Sequence, residues 1–189
     1  LSPGPFPVAA YSFNEGTGTT VGDASGYGNV GSTGSASWST EGKFGNALTF
    51  DGTSALVTVP DSASLDLTTA MTLEAWVFPT SGGGWRDVVY KETNDIYFLE
   101  GSSSSGPPAM GGAFSTDPLY GTTPLPLSTW SHLAATYDGQ TMRLYVNGIE
   151  VATRAQTGPI ATSTGPLTIG GDALYGQFFE GRIDEVRVY

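Results

Sequence analysis

The sequence predicts an all-β fold, and three features of it carry the prediction. Apolar and polar residues alternate with a period of two, where an amphipathic helix would repeat every ~3.6 residues. Gly (27) and Pro (12) are plentiful among the 189 residues but show no collagen-like period. They punctuate the chain, as many short strands require. Charged residues make up only 13%, about half the usual share, so Ser, Thr, Asn and Gly must meet much of the water.

The elements follow in chain order. Segment 8–13 is strand-like. Segments 47–50 and 55–59 are strands separated by Asp51-Gly52. In 71–77, Leu73, Ala75 and Val77 alternate with Thr72, Glu74 and Trp76. Segment 133–137 ends at Asp138-Gly139. Met142, Leu144 and Val146 alternate with Arg143 and Tyr145, and Asn147-Gly148 then turns the chain into 149–154. Both central residues of a type I′ turn need positive φ, which Asn and Gly tolerate, so a hairpin is expected there. Segment 182–189 closes the series. This spacing predicts roughly ten to fourteen strands. The Gly/Ser/Pro stretches 81–84, 101–108 and 121–126 read as long surface loops, which often carry function.

Composition narrows the partners. Seven Lys and Arg stand against eighteen Asp and Glu, a net charge of −11. Such a chain repels nucleic acid and an anionic membrane surface. It has no Cys, so disulfides and thiolate metal sites are excluded. No apolar run reaches the ~18 residues of a spanning helix. The opening Leu1-Ser-Pro-Gly-Pro-Phe-Pro7 reads as a linker remnant over 1–7. One domain is expected over 8–189, as a module of a longer secreted or cell-surface protein.

An ordered series of motifs is more specific. Tyr11-Ser-Phe-Asn-Glu-Gly-Thr-Gly18 is followed by Gly45-Asn-Ala-Leu-Thr-Phe-Asp-Gly52 and Met71-Thr-Leu-Glu-Ala-Trp-Val77. Then come Thr129-Trp-Ser-His-Leu-Ala-Ala-Thr-Tyr-Asp-Gly139, Leu144-Tyr-Val-Asn-Gly148 and Phe179-Glu-Gly-Arg-Ile-Asp-Glu-Val-Arg-Val-Tyr189. Together they resemble the laminin-G-like jelly rolls of bacterial secreted proteins, within the concanavalin A-like lectin/glucanase superfamily. The resemblance implies a two-sheet antiparallel jelly-roll β-sandwich whose terminal strands meet. It does not imply one function, because fold alone does not choose among ligands.

Catalytic chemistry is thinly represented. The related glucanases carry Glu-x-Asp-x-x-Glu on one strand, and that motif is absent. The nearest cluster is Glu92-Thr-Asn-Asp95 with Glu100 beyond it, and Asn94-Asp95 reads as a turn. His132, the one His, stands in a framework strand and reads as structural, without a Gly-x-Ser-x-Gly elbow to serve. A non-catalytic module is therefore expected, and a divergent polysaccharide hydrolase or lyase ranks last.

Calcium is the expected ion, since hard cations take carboxylates and carbonyls. In similar glucanases a structural Ca²⁺ joins the N-terminal segment, a Gly carbonyl and an Asp of the last strand. The resemblance maps these onto Asn14 (or Glu15), Asp51-Gly52 and Asp184. The alternative is that Asp184 hydrogen-bonds backbone without metal.

A glycan site needs aromatic rings off the core among amides and carboxylates. Trp76, Trp130 and Tyr137 lie in alternating strands and read as core. Trp85, Asn94, Asp95, Tyr97, Tyr120 and Tyr175 lie beside polar loops and are the candidate ligand-binding residues. Their expected partner is a polysaccharide or other glycan. The competing expectation is a protein-interaction or spacer module, built on an exposed apolar patch or strand edge instead.

Overall fold

The computed structural model describes residues 6–189. The first five positions of the expected linker lie outside the described residues. Sixteen strands are present: β1 (Ala9–Tyr11), β2 (Thr20–Val21), β3 (Gly31–Ser32), β4 (Ser37–Ser39), β5 (Ala47–Asp51), β6 (Val57–Val59), β7 (Met71–Pro79) and β8 (Arg86–Lys91). They continue with β9 (Tyr97–Ser102), β10 (Ala109–Gly111), β11 (Leu119–Tyr120), β12 (Ser131–Tyr137), β13 (Thr141–Val146), β14 (Ile149–Ala155), β15 (Leu167–Ile169) and β16 (Glu180–Val188). One 3₁₀ turn, Ala63–Leu65, is the only helical element among the described residues.

The strands form two antiparallel sheets. The first runs β14-β13-β12-β7-β16-β5-β4, with β1 beside β16; the second runs β11-β10-β9-β8-β15-β6-β3-β2. This is the jelly-roll sandwich expected. The inner faces of the two sheets share one core, including Tyr11, Leu73, Val77, Val89, Leu99, Ile169 and Ile183. The alternation in β7 produces it directly, because every second side chain from Met71 to Pro79 is buried.

The expected hairpin forms at Asn147-Gly148, whose φ values are 52° and 77°. The termini meet as expected, with Ala9 opposite Val188 and Tyr11 opposite Val186. β16 is internal to its sheet, and β5 and β1 pair with successive stretches of it. Strands β14 and β4 end that path instead.

Tyr137 is core, stacked on Phe114 with centroids 4.3 Å apart. Trp76 and Trp130 are not. Trp76 alternates with the buried Ala75 and Val77, so it stands on the outer face of the first sheet. There it meets His132 at 5.2 Å and the Lys43 ammonium at 4.2 Å. Trp130 packs on Phe78 beside the Arg182 guanidinium. His132 Nε2 lies 3.3 Å from Glu74.

Candidate functional site

A row of side chains on the outer face of the second sheet defines the site. Asp87 pairs with Glu100, Glu100 with Ala109, and Ala109 with Tyr120. Their neighbours Val89, Leu99 and Met110 point into the core, so the row faces away from it. Strict alternation would put Asp87 on the same face as Val89. The β8–β9 register shifts between them, leaving Val88 without a partner. This bulge turns the Asp87 carboxyl to the outer face beside Glu100, as bulges near functional sites do.

Over this row lies a cleft of about 260 Å³, lined by Trp85, Asp95, Phe98, Glu100, Pro118, Tyr175 and Gln177. Tyr120 packs against Trp85, centroids 5.9 Å apart, at its rim. The Phe98 ring lies across β10 because Gly111 leaves room; a Cβ there would sit 2.7 Å from the ring. The far wall is the loop between β15 and β16. The buried Asp172 holds it by accepting the backbone N–H groups of Tyr175 and Gln177. Two further hydrogen bonds fasten the loop to β8: the Asp87 N–H donates to Gln177 O at 3.0 Å, and Arg86 Nη1 donates to Phe178 O at 2.9 Å. Asp95 is aimed by its turn, where Asn94 and Asp95 adopt φ of 64° and 53°. The Tyr90 hydroxyl then donates to Asp95 Oδ1 at 2.9 Å.

The floor is acidic and buried. Glu100 is 2% exposed and Asp87 fully buried. Both Asp87 oxygens and Glu100 Oε2 are buried without a hydrogen-bond partner. Burial raises both carboxyls well above the usual carboxylate range, and Glu100 and Asp172 push Asp87 up further. Asp95 in turn raises the Tyr175 hydroxyl. No Lys, Arg or His lines the cleft.

The structure brings Trp85, Asp95 and Tyr175 together as lining residues and puts Tyr120, 40% exposed, at the rim. Asn94 lies just outside, in a neighbouring hollow that shares Asp95 and Phe98. Tyr97 does not reach the cleft. It is fully buried on the core side, and its hydroxyl donates to Leu65 O at 2.9 Å. The period of two gives the outward place to Phe98 instead. Phe98, Glu100 and Gln177 line the cleft and are not among the candidates that loop aromatics point to. Alternation about a buried Tyr97 and Leu99 would have found the first two.

Residues 51–189 match the Laminin_G_3 family, described as the concanavalin A-like lectin/glucanases superfamily. The chain belongs to this superfamily. Among solved structures, this superfamily member is similar to domain 4 of AbnA, a GH43 extracellular arabinanase from Geobacillus stearothermophilus, in complex with arabinotriose. That likeness has a TM-score of 0.74 at 22% identity, over 97% of this chain and 91% of that one. The binding domain of Paraclostridial Mosquitocidal Protein 1 also aligns, with a TM-score of 0.74 at 15% identity, over 97% and 48% of the two chains. These likenesses share the fold. In sequence, 65 residues are 42% identical to Pappalysin-1 of Mus musculus, covering 32% of this chain and 4% of that protein. The chain thus spans a small fraction of that relative's length.

The calcium set expected of a superfamily member does not converge. Asp184 Oδ2 accepts the Phe44 N–H, and Asn14 Oδ1 accepts the Asn46 N–H, each at 2.9 Å. Both therefore reach the 42–46 loop. Asp51 stands opposite Glu180, four positions before Asp184, on the order of 13 Å along the strand. Its Oδ1 accepts the N–H groups of Thr53, Ser54 and Ala55. Asp51 and Gly52 thus build a turn of their own. Among the described residues no group of three His, Cys, Asp or Glu is placed to hold a metal ion. Asp184 Oδ1 remains, buried and without a partner.

Proposed function

We propose that this domain binds a glycan without transforming it, in the cleft over the Asp87–Glu100–Ala109–Tyr120 row. One observation carries the reading: Trp85, Tyr120 and Tyr175 flank a cleft that the polar side chains of Asp95 and Gln177 also line, over the recessed Glu100. Sugar rings offer apolar faces to aromatic walls and hydroxyls to such carboxylate and amide groups. The cleft is pre-formed and mostly apolar, with few convergent polar groups, as ligand sites are. Domain 4 of the arabinanase, complexed with arabinotriose, supports the same reading by analogy of fold.

A specific observation also favours hydrolysis as a second reading, since Asp95 and Glu100 line one cleft. A glycosidase sets two accessible carboxyls about 5–10 Å apart across the bond. Glu100 at 2% exposure is recessed in the floor, and Asp95 is tied to Tyr90. Binding is the better account.

A structural calcium ion enters this proposal only at Asp184, held by Oδ1 with Asn14 and the backbone of the 42–46 loop. The setting we propose is extracellular, as a module tethered within a longer chain. No helix among the described residues is long and apolar enough to cross a membrane.

Calorimetric titration against a panel of soluble oligosaccharides tests the function. Saturable binding, weakened roughly tenfold (about 1.4 kcal/mol) by Trp85→Ala or Tyr175→Ala, supports it. No binding by any oligosaccharide would refute it, and release of shortened products would move the assignment to a hydrolase.

A further inference from the structure

We propose that the cleft selects its glycan by charge, preferring a sugar that carries a free ammonium group and refusing carboxylated or sulfated sugars. The inference rests on the glycan-binding reading above and adds a ligand class to it.

Every Lys, Arg and His among the described residues is committed elsewhere. Lys91 is buried against Asp61 at 2.6 Å on the core side of β8. Arg143 pairs with Asp138, Arg182 with Glu41, and Arg187 with Glu74 and Glu185. Lys43 lies over Trp76, and His132 beside Glu74, on the opposite sheet. Arg86 is spent on backbone carbonyls of Gly83 and Phe178. Arg154 lies behind Pro118, and its guanidinium donates to the carbonyls of Asp117 and Pro118. These seven Lys and Arg are all the sequence contains.

The acids are gathered at the cleft. Glu100 and Asp95 line it, and Asp87 stands beside Glu100 within reach of Asp172. Glu100 is nine-tenths buried and more, yet its Oε2 meets no donor. An anionic sugar would bring its charge to a poorly solvated site lined by acids and by no Lys, Arg or His, whereas an ammonium would displace to solvent the proton that burial keeps on Glu100 and pair with the carboxylate left behind. A neutral hydroxyl offers one donor. An ammonium offers three and a positive charge. The remaining walls favour the cation too, because the faces of Trp85, Tyr120 and Tyr175 attract it.

The test is a calorimetric comparison of four probes at about pH 6, where an ordinary amine is protonated. The probes are a glucosamine oligomer, its N-acetylated counterpart, a neutral arabinan oligomer and a galacturonate oligomer. The glucosamine oligomer should bind at least about tenfold more tightly than the N-acetylated one. Raising salt should shrink that difference, and the galacturonate oligomer should not bind. Glu100→Gln should narrow the ratio between the glucosamine and N-acetylated oligomers to less than about threefold, read as a ratio so that any change in neutral binding cancels; Asp95→Asn serves the same purpose if the first variant folds poorly. Equal or tighter binding of the N-acetylated form, binding confined to neutral oligomers, or binding of galacturonate would overturn charge selection while leaving glycan binding intact. Failure of all four probes, with a negative oligosaccharide panel, would overturn both.

Discussion

Asp87 and Glu100 stand opposite each other across the β8–β9 ladder, on the face turned from the core, with both Asp87 oxygens and Glu100 Oε2 buried and unpartnered. Each raises the cost of ionising the other, so the pair is a pH-dependent element of stability. Glu100 is pushed up from an ordinary value of 4.5 to about 8, chiefly by burial. Its protonated form is favoured by folding, so its contribution is complete below the unfolded value and is lost as pH rises through the folded one. The melting temperature should therefore fall between about pH 5 and pH 9, by roughly 2–4 °C for each kcal/mol lost in a domain of this size. Glu100→Gln should flatten that slope. A flat wild-type profile over this range would contradict the assignment. On the acid side the sign reverses at Asp51, held low by the N–H groups of Ser54, Ala55 and Thr53.

Asp172 positions the cleft wall. Removing its carboxyl frees the N–H groups of Tyr175 and Gln177. Asp172→Ala should weaken ligand binding roughly tenfold, with a stability cost of about 1–3 kcal/mol for the lost buried bonds. Paired calorimetry and urea unfolding check this. Unchanged affinity would mean that the 172–177 loop is not part of the site.

Lys91 faces the other way. Its ammonium is buried among Asp61 and the carbonyls of Ser163 and Gly165. Lys91→Ala breaks a buried pair and should cost about 3–5 kcal/mol. The surviving folded protein should bind ligand as the wild type does. Lost affinity at full folding would place Lys91 in the site.

Chelation tests the ion at Asp184. If calcium is bound, EDTA should lower the melting temperature of the wild type by a few degrees and leave Asp184→Asn unmoved. An unchanged wild-type transition, with no metal by elemental analysis, would assign Asp184 to its Phe44 hydrogen bond alone.

The sandwich and part of the site are legible in the chain because period two is a local signal. Alternation marks β7 and β12, and Asn147-Gly148 marks its hairpin, since each depends on neighbours in sequence. Trp85, Tyr120 and Tyr175 stand out as aromatics beside polar loops. Other features depend on register, which alternation alone does not set. Tyr97 carries a polar hydroxyl that finds Leu65 O inside the core, so its ring faces inward and Phe98 faces the cleft. Asp87 looks inward by count from Val89 until the bulge at Val88 reverses it. Trp76 and Trp130 read as core by size, yet the first sheet's outer face holds them under Lys43 and Arg182. Asp51 and Asp184 look like one ion site by resemblance, and the β5–β16 register separates them.

The most direct measurement of the central claim is a titration of ¹⁵N-labelled protein with a bound oligosaccharide, read at the four Trp indole N–H signals. Trp85 alone lines the cleft; Trp76 and Trp130 lie on the opposite sheet, and the Trp38 indole is bonded to Gly18 O. The Trp85 signal should shift saturably while the other three stay in place. Shifts at Trp76 or Trp130 with Trp85 unmoved would contradict the assignment and place the ligand on the first sheet.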